Sequence, residues 1–197
     1  MKMALDAGTE QDDEALLALY ARGDRAAARL LTVRLLPRAY SHALRVLGDG
    51  AEAEDVAQEA MLRLWRIAAE WRAGEAKVTT WLYRVVANLC IDRLRAGRRR
   101  GAVALDAVPE PEDAAAGAVQ RLEAQDREAA LQAALDALPE RQRQAVVLRH
   151  IEGLGNAEIA GIMDISAEAV ESLTARGRRA LAARLAGRRA ELGFEDG

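Results

Sequence analysis

The stretch NAEIAGIMDISAEAVESLTARGRRALAARLA, residues 156–186, decides how this chain is read. Apolar residues recur every three or four positions from Asn156 to Met163, the pattern of a short amphipathic helix. Asp164-Ile165-Ser166 interrupts it with a residue that tolerates positive φ and a hydroxyl suited to capping a second helix. Helix, tight turn and helix together make the helix-turn-helix layout. In the second helix Val170, Leu173, Thr174, Gly177 and Leu181 share an inward face, and Ala160 is small where the two helices cross. Glu168, Glu171, Ser172, Ala175, Arg176 and Arg179 share the outward face, the one such a motif presents to a major groove. An ordinary hairpin in a helical bundle is the plainer alternative, but residues 172–190 hold six arginines and no acid.

Upstream, an Ala/Leu-rich helix is predicted over 120–137, and Pro139 suits the first position of a helix beginning there. Before it lies GAVALDAVPEPEDAAAGA (101–118), with four acids, no base, and Pro109 and Pro111 to break any helix. The first hundred residues read as helices at 15–21, 25–36, 37–47, 51–70 and about 79–98, with Asp24 as a cap and Pro37 opening a helix of its own. Thr79 and Thr80 are the predicted cap of the last of these. The expected fold is all-α: two small helical domains, 10–100 and 120–190, joined by a flexible acidic linker over 101–119.

Composition narrows the function. One cysteine, Cys90, excludes a disulfide framework and an all-Cys metal site, and two histidines, His42 and His150, lie far apart. No nucleophile–base pair or phosphate loop appears, so neither an enzyme nor a metal or other cofactor is expected. The start MKMALDAGTEQDDE turns acidic before any apolar run, and no window of about 18 apolar residues occurs, so a soluble cytoplasmic protein with no membrane insertion is expected. The formal net charge of -3 argues weakly against nucleic acid until it is resolved along the chain. Residues 1–60 carry seven bases and eleven acids, whereas residues 84–100 carry six arginines against Asp92 alone. Within that basic block, 100° per residue places Leu82, Val85, Val86, Leu89 and Cys90 on one face of a helix and Trp81, Arg84, Asn88, Asp92 and Arg95 on the other. An aromatic at the head of an arginine stripe suits phosphates and stacked bases; a solvated charged face is the alternative.

AEDVAQEAMLRLWR (53–66) followed by TWLYRVVANLCIDRLRAGRRR (80–100) closely resembles region 2 of sigma-70-family initiation factors. LPERQRQAVVLRHIEGLGNAEIAGIMDIS (138–166) is similar to their region 4. The short linker, with no region 3 and no long N-terminal extension, looks like the extracytoplasmic-function subgroup, and the resemblance spans roughly residues 12–186.

That resemblance implies a transcription initiation subunit whose partners are core RNA polymerase, promoter DNA and an anti-sigma factor. Asp55, Gln58 and Glu59 match positions that dock on polymerase. Trp81, Arg84, Asn88 and Arg95 match the helix that opens and reads the minus-ten element, and the loop 71–77, with Lys77, matches the one that captures a flipped base. Ser172, Arg176 and Arg179 match positions that approach the minus-35 element. The family commonly has a base at Glu171, Arg at Leu173 and His or Phe at Ala175, so Glu171 would either accept from a cytosine amino group or repel phosphate. A linker of about 18 residues reaches up to about 60 Å, nearly two duplex turns of roughly 34 Å each. Two other readings stay open: a polymerase-independent helix-turn-helix regulator, and a sigma-like decoy that sequesters an anti-sigma factor.

Overall fold

The computed structural model describes residues 12–99 and 118–186, and every regular element among them is helical. The first unit comprises α1 (Asp13–Ala21), α2 (Arg25–Leu47), α3 (Gly50–Ile67), a 3-10 turn at Ala68–Glu70, and α4 (Val78–Arg99). The second comprises α5 (Ala118–Asp136), α6 (Glu140–Val146) running into a π turn at Val147–Ile151, α7 (Asn156–Met163) and α8 (Ala167–Ala186). Most of the expected linker, 101–117, lies outside the described residues, as do Arg100, Arg188 and Arg189.

Short polar side chains start the helices of the first unit by satisfying free N–H groups. Asp24 Oδ1 accepts from the Ala26 and Ala27 N–H groups at 2.8 and 3.3 Å, and Asp49 Oδ1 accepts from Glu52 N–H at 2.9 Å. Gly48 ends α2 at φ 72°, a left-handed conformation that glycine adopts without steric cost, and donates to Leu44 O at 2.8 Å.

Three boundaries differ from the sequence reading. Residues 25–47 form one helix with Pro37 inside it, not two helices meeting there. Proline removes the bond to the carbonyl of Val33; Val33 is 73% exposed, so solvent can replace that bond, while Leu31, Leu35, Ala39 and Ala43 pack continuously on the opposite side. Pro139 is the extended N-cap of α6, at ψ 139°, and Glu140 is the first helical residue. Thr79 and Thr80 lie inside α4, which begins at Val78, while α3 ends at Ile67 and the 3-10 turn completes the expected span.

The helix-turn-helix forms as expected. Asp164 occupies the left-handed region at φ 52°, Ile165 N–H donates to Ala160 O at 3.1 Å, and Ser166 Oγ accepts from Ala169 N–H at 3.2 Å. Gly177 lets α8 lie on α6: a Cβ there would stand 2.5 Å from Val146 Cγ2 and 3.3 Å from the Gln142 carbonyl.

The units share their cores. Leu16, Leu31, Leu35, Leu64 and Leu82 are fully buried in a cluster that also takes in Leu135, Leu138, Val146 and Val147. A second cluster joins Tyr83 and Ala87 of α4 to Leu148, Ile159, Ile162, Met163 and Val170. Cys90 is fully buried, and desolvation pushes its thiol up to about 12 despite nearby Arg93, as suits a small core residue.

Candidate nucleic-acid and polymerase interface

On α4 the expected stripe is present. Leu82, Val86 and Cys90 are fully buried, Trp81 is half-buried, and Arg84, Asn88, Asp92 and Arg95 are exposed. At the head of the stripe Trp81 meets Trp71 edge to face, with ring centroids 6.1 Å apart and planes at 84°. The two indoles, with Glu70, Arg72 and Glu75, line an open cleft of about 280 Å³. The Trp71 indole N–H is buried in the structure without a hydrogen-bond partner. The loop beyond Trp71 is tied to α1 by Gly74 N–H donating to Glu14 Oε2 at 3.1 Å. Aromatic walls, an unused donor and flanking arginines are the chemistry that receives an unpaired base.

Not every arginine of this basic block faces the same way. Arg93 bonds Glu52 Oε2 and lies 3.7 Å from Asp55, and the Glu52 hydrogen bond raises its already high affinity for a proton. It therefore clips α4 to α3 and is not part of the stripe. Lys77, in the loop, points to Glu158 of α7 at 3.5 Å.

On α3, Asp55, Gln58 and Glu59 occupy successive turns of the solvent face. Gln58 donates to Glu54 at 3.1 Å, and Arg63 donates to Glu59 at 2.8 Å, a bond that holds the Glu59 carboxyl below its ordinary value. Leu62, one turn further along, is 50% exposed and extends that face with apolar surface. The motif reading missed it; its spacing of four from Gln58 was the available signal.

Glu168, Glu171, Ser172, Arg176 and Arg179 are exposed on α8, and Arg178 joins them. Arg176 donates to its own helix at Ser172 O, 3.2 Å away. Ala175 is half-buried instead of outward, and Leu173 packs on the second cluster. The departure from the family at Leu173 therefore bears on packing more than on base contact.

The sequence pattern also missed a set of polar residues between the units. Tyr83 Oη donates to Glu152 Oε2, and His42, fully buried, places Nδ1 3.8 Å from Glu152 Oε1. Arg143, 7% exposed, donates to Val46 O at 2.6 Å.

A helical protein that pairs a helix-turn-helix with a second cationic helix surface belongs to the DNA-binding class of the transcription apparatus. Comparison with known proteins makes this specific. The family described as Sigma-70 region 2 matches residues 31–100, and Sigma-70, region 4 matches residues 128–181. The RNA polymerase sigma-H factor of Pseudomonas aeruginosa is 32% identical over 88% of this chain and 93% of its own length. The ECF RNA polymerase sigma-E factor of Escherichia coli is 31% identical over 86% and 92%. The ECF RNA polymerase sigma factor SigE of Mycolicibacterium smegmatis is 36% identical over 73% of this chain, which spans only 56% of that relative. The chain belongs to the sigma-70 family, in its ECF group. Two solved structures share the fold: CnrH in complex with the cytosolic domain of CnrY, with a TM-score of 0.65 at 24% identity over 89% of this chain and 97% of that one, and Bartonella quintana RpoE in complex with the anti-sigma factor NepR, with a TM-score of 0.62 at 20% identity over 80% and 95%.

Proposed function

We propose that this chain is a promoter-specificity subunit that binds core RNA polymerase, recognises a minus-ten and a minus-35 element, and helps to open the duplex. The observation that carries the reading is the exposed stripe of α4 running from the two-indole cleft. Trp81, Arg84, Asn88 and Arg95 would hold the minus-ten strand, with Lys77 in the adjoining loop. Opening needs no covalent chemistry. Extruding a base costs a few kcal/mol, and stacking on an aromatic side chain returns roughly 1–3 kcal/mol per base.

Asp55, Gln58 and Glu59, with Leu62 beside them, would dock on polymerase. Glu171, Ser172, Arg176 and Arg179 would face the minus-35 element, with arginine–phosphate contacts setting position and Glu171 bearing on sequence. The reading puts the protein's work in the cytoplasm and includes an anti-sigma partner. Its test is the Gln58→Ala, Glu59→Ala pair, expected to abolish co-purification with core polymerase, alongside Asn88→Ala, expected to bind polymerase normally and open promoters poorly. Asn88→Ala losing polymerase binding to the same extent would refute the division of labour between α3 and α4.

A further inference from the structure

The geometry points to an autoinhibitory latch: the second unit clamps the C-terminus of α2 and the flank of α4, and must let go before the chain can span two promoter elements. The inference rests on the promoter-reading function proposed above.

The clamp on α2 follows from the groups a helix end leaves free. The last four carbonyls of a helix have no partner within it. In α2, Leu44 O is taken by Gly48 N–H, but Arg45 O accepts from Gln132 Nε2 at 3.3 Å and Val46 O accepts from Arg143 at 2.6 Å. Two of the four are thus completed by side chains of the other unit. Arg45 also pairs with Glu128, and Arg143 stays oriented by Asp136 Oδ1 at 3.1 Å. Gly48 is part of the fit, since a Cβ there would lie 3.0 Å from the Asp136 carboxylate.

The clamp on α4 is apolar around a polar centre. Tyr83 and Ala87, 5% and 1% exposed, pack with Leu148, Ile159 and Ile162. Beside them Tyr83 bonds Glu152, and the His42 ring meets the Tyr83 ring edge to face at 5.5 Å. Both His42 nitrogens and Glu152 Oε1 are buried without a hydrogen-bond partner. A buried polar atom left unpaired is costly, and exposure to water relieves that cost. The docked form is therefore held by packing and caps yet predisposed to open.

Docking conflicts with promoter engagement on distance. α4 packs on α7 and α7 on α8, and two helix packings at 8–10 Å each leave the axes of α4 and α8 no more than about 20 Å apart. Elements nearly two duplex turns apart require roughly 60 Å. Docking also sets Glu158 against Lys77 of the melting loop, so an acid occupies the place of a phosphate.

The test uses the full chain. Arg45→Cys and Glu128→Cys, bridged by a thiol-cleavable bismaleimide, lock the docked form and leave the proposed reading residues untouched; buried Cys90 stays in place. With core polymerase, the locked chain is expected to lose at least tenfold in promoter-directed transcription and to regain it when the bridge is cleaved. Independently, Ala87→Arg is expected to raise the radius of gyration of the free chain above the roughly 16 Å of one compact body of this length. A locked chain that transcribes as well as the cleaved one overturns the latch. A folded Ala87→Arg chain that stays compact overturns it too. A cleaved chain that binds polymerase but transcribes from no promoter refutes the underlying function instead.

Discussion

Gly177→Ala tests whether the approach of α8 to α6 depends on the missing side chain. The new Cβ would lie 2.5 Å from Val146 Cγ2, where an ordinary carbon contact is about 3.5–4.0 Å, so something must yield by about 1 Å. Val146 is 3% exposed, and its β-branched side chain has little rotameric freedom with which to retreat. Overpacking of this kind costs roughly 1–3 kcal/mol. Against it, replacing glycine by alanine inside a helix returns about 1 kcal/mol. The net expectation is a destabilisation of about 1 kcal/mol, or a Tm lower by about 2–4 °C in a chain of this size. Urea denaturation followed by circular dichroism would measure it. Val146→Ala supplies the internal control: by itself it removes two buried carbons and costs on the order of 1.6 kcal/mol, but beside Gly177→Ala it opens the space the new methyl needs. The double variant should therefore be more stable than the sum of the singles by at least about 1 kcal/mol. Gly177→Ala stabilising the chain by its full helix preference, with the two substitutions strictly additive, would refute the reasoning.

Cys90, buried with its thiol pushed up to about 12, should react with a thiol reagent at pH 8 on the order of a thousandfold more slowly than a free cysteine; a native chain labelled at the free-thiol rate would contradict its burial. Arg176→Ala and Arg179→Ala should each weaken binding to minus-35 DNA and reduce the salt slope of log K by about 0.9; an unchanged slope would remove that arginine from the interface. Burial alone would raise the Glu152 carboxyl, but the approach of His42, the Tyr83 hydrogen bond and the charge of Arg38 together hold it below its ordinary 4.5. A carboxyl depressed on folding adds stability above that value and loses it as pH falls through the lower folded one. Urea midpoints should therefore fall more steeply with acid in the parent chain than in Glu152→Gln; parallel profiles would sink this account.

The sequence made the helices legible wherever a short side chain or glycine punctuated a periodic pattern, as at Asp24, Asp164 and Ser166. It misled at Pro37 because a local breaker was overridden by packing on the far side of the helix. The stripe of α4 was legible as one of two opposing faces. Its third face, Tyr83 and Ala87, was not, because a face that packs on a distant segment looks the same as any other short apolar interval. Arg93 shows the same limit for charge: its place in a basic run suggested nucleic acid, but its partner Glu52 is 41 residues earlier in the chain. His42, Arg143 and Glu152 carried no local signal, since each acquires its role only across the junction of the two units.

The π turn at Val147–Ile151 has a consequence for how this chain tolerates change in length. Glu152 N–H reaches back five residues to Val147 O at 3.0 Å, one residue more than an α-helix would use. The extra residue is a phase shift written into the backbone. Removing one residue from 147–151 would let the turn relax to α geometry and swing everything beyond it by roughly 100°. Glu152 would rotate away from Tyr83, and α7 and α8 would follow in a new register. The spacing of this turn is thus a form of orientation memory: a single deletion there would leave each helix well formed and aim the recognition helix in a different direction.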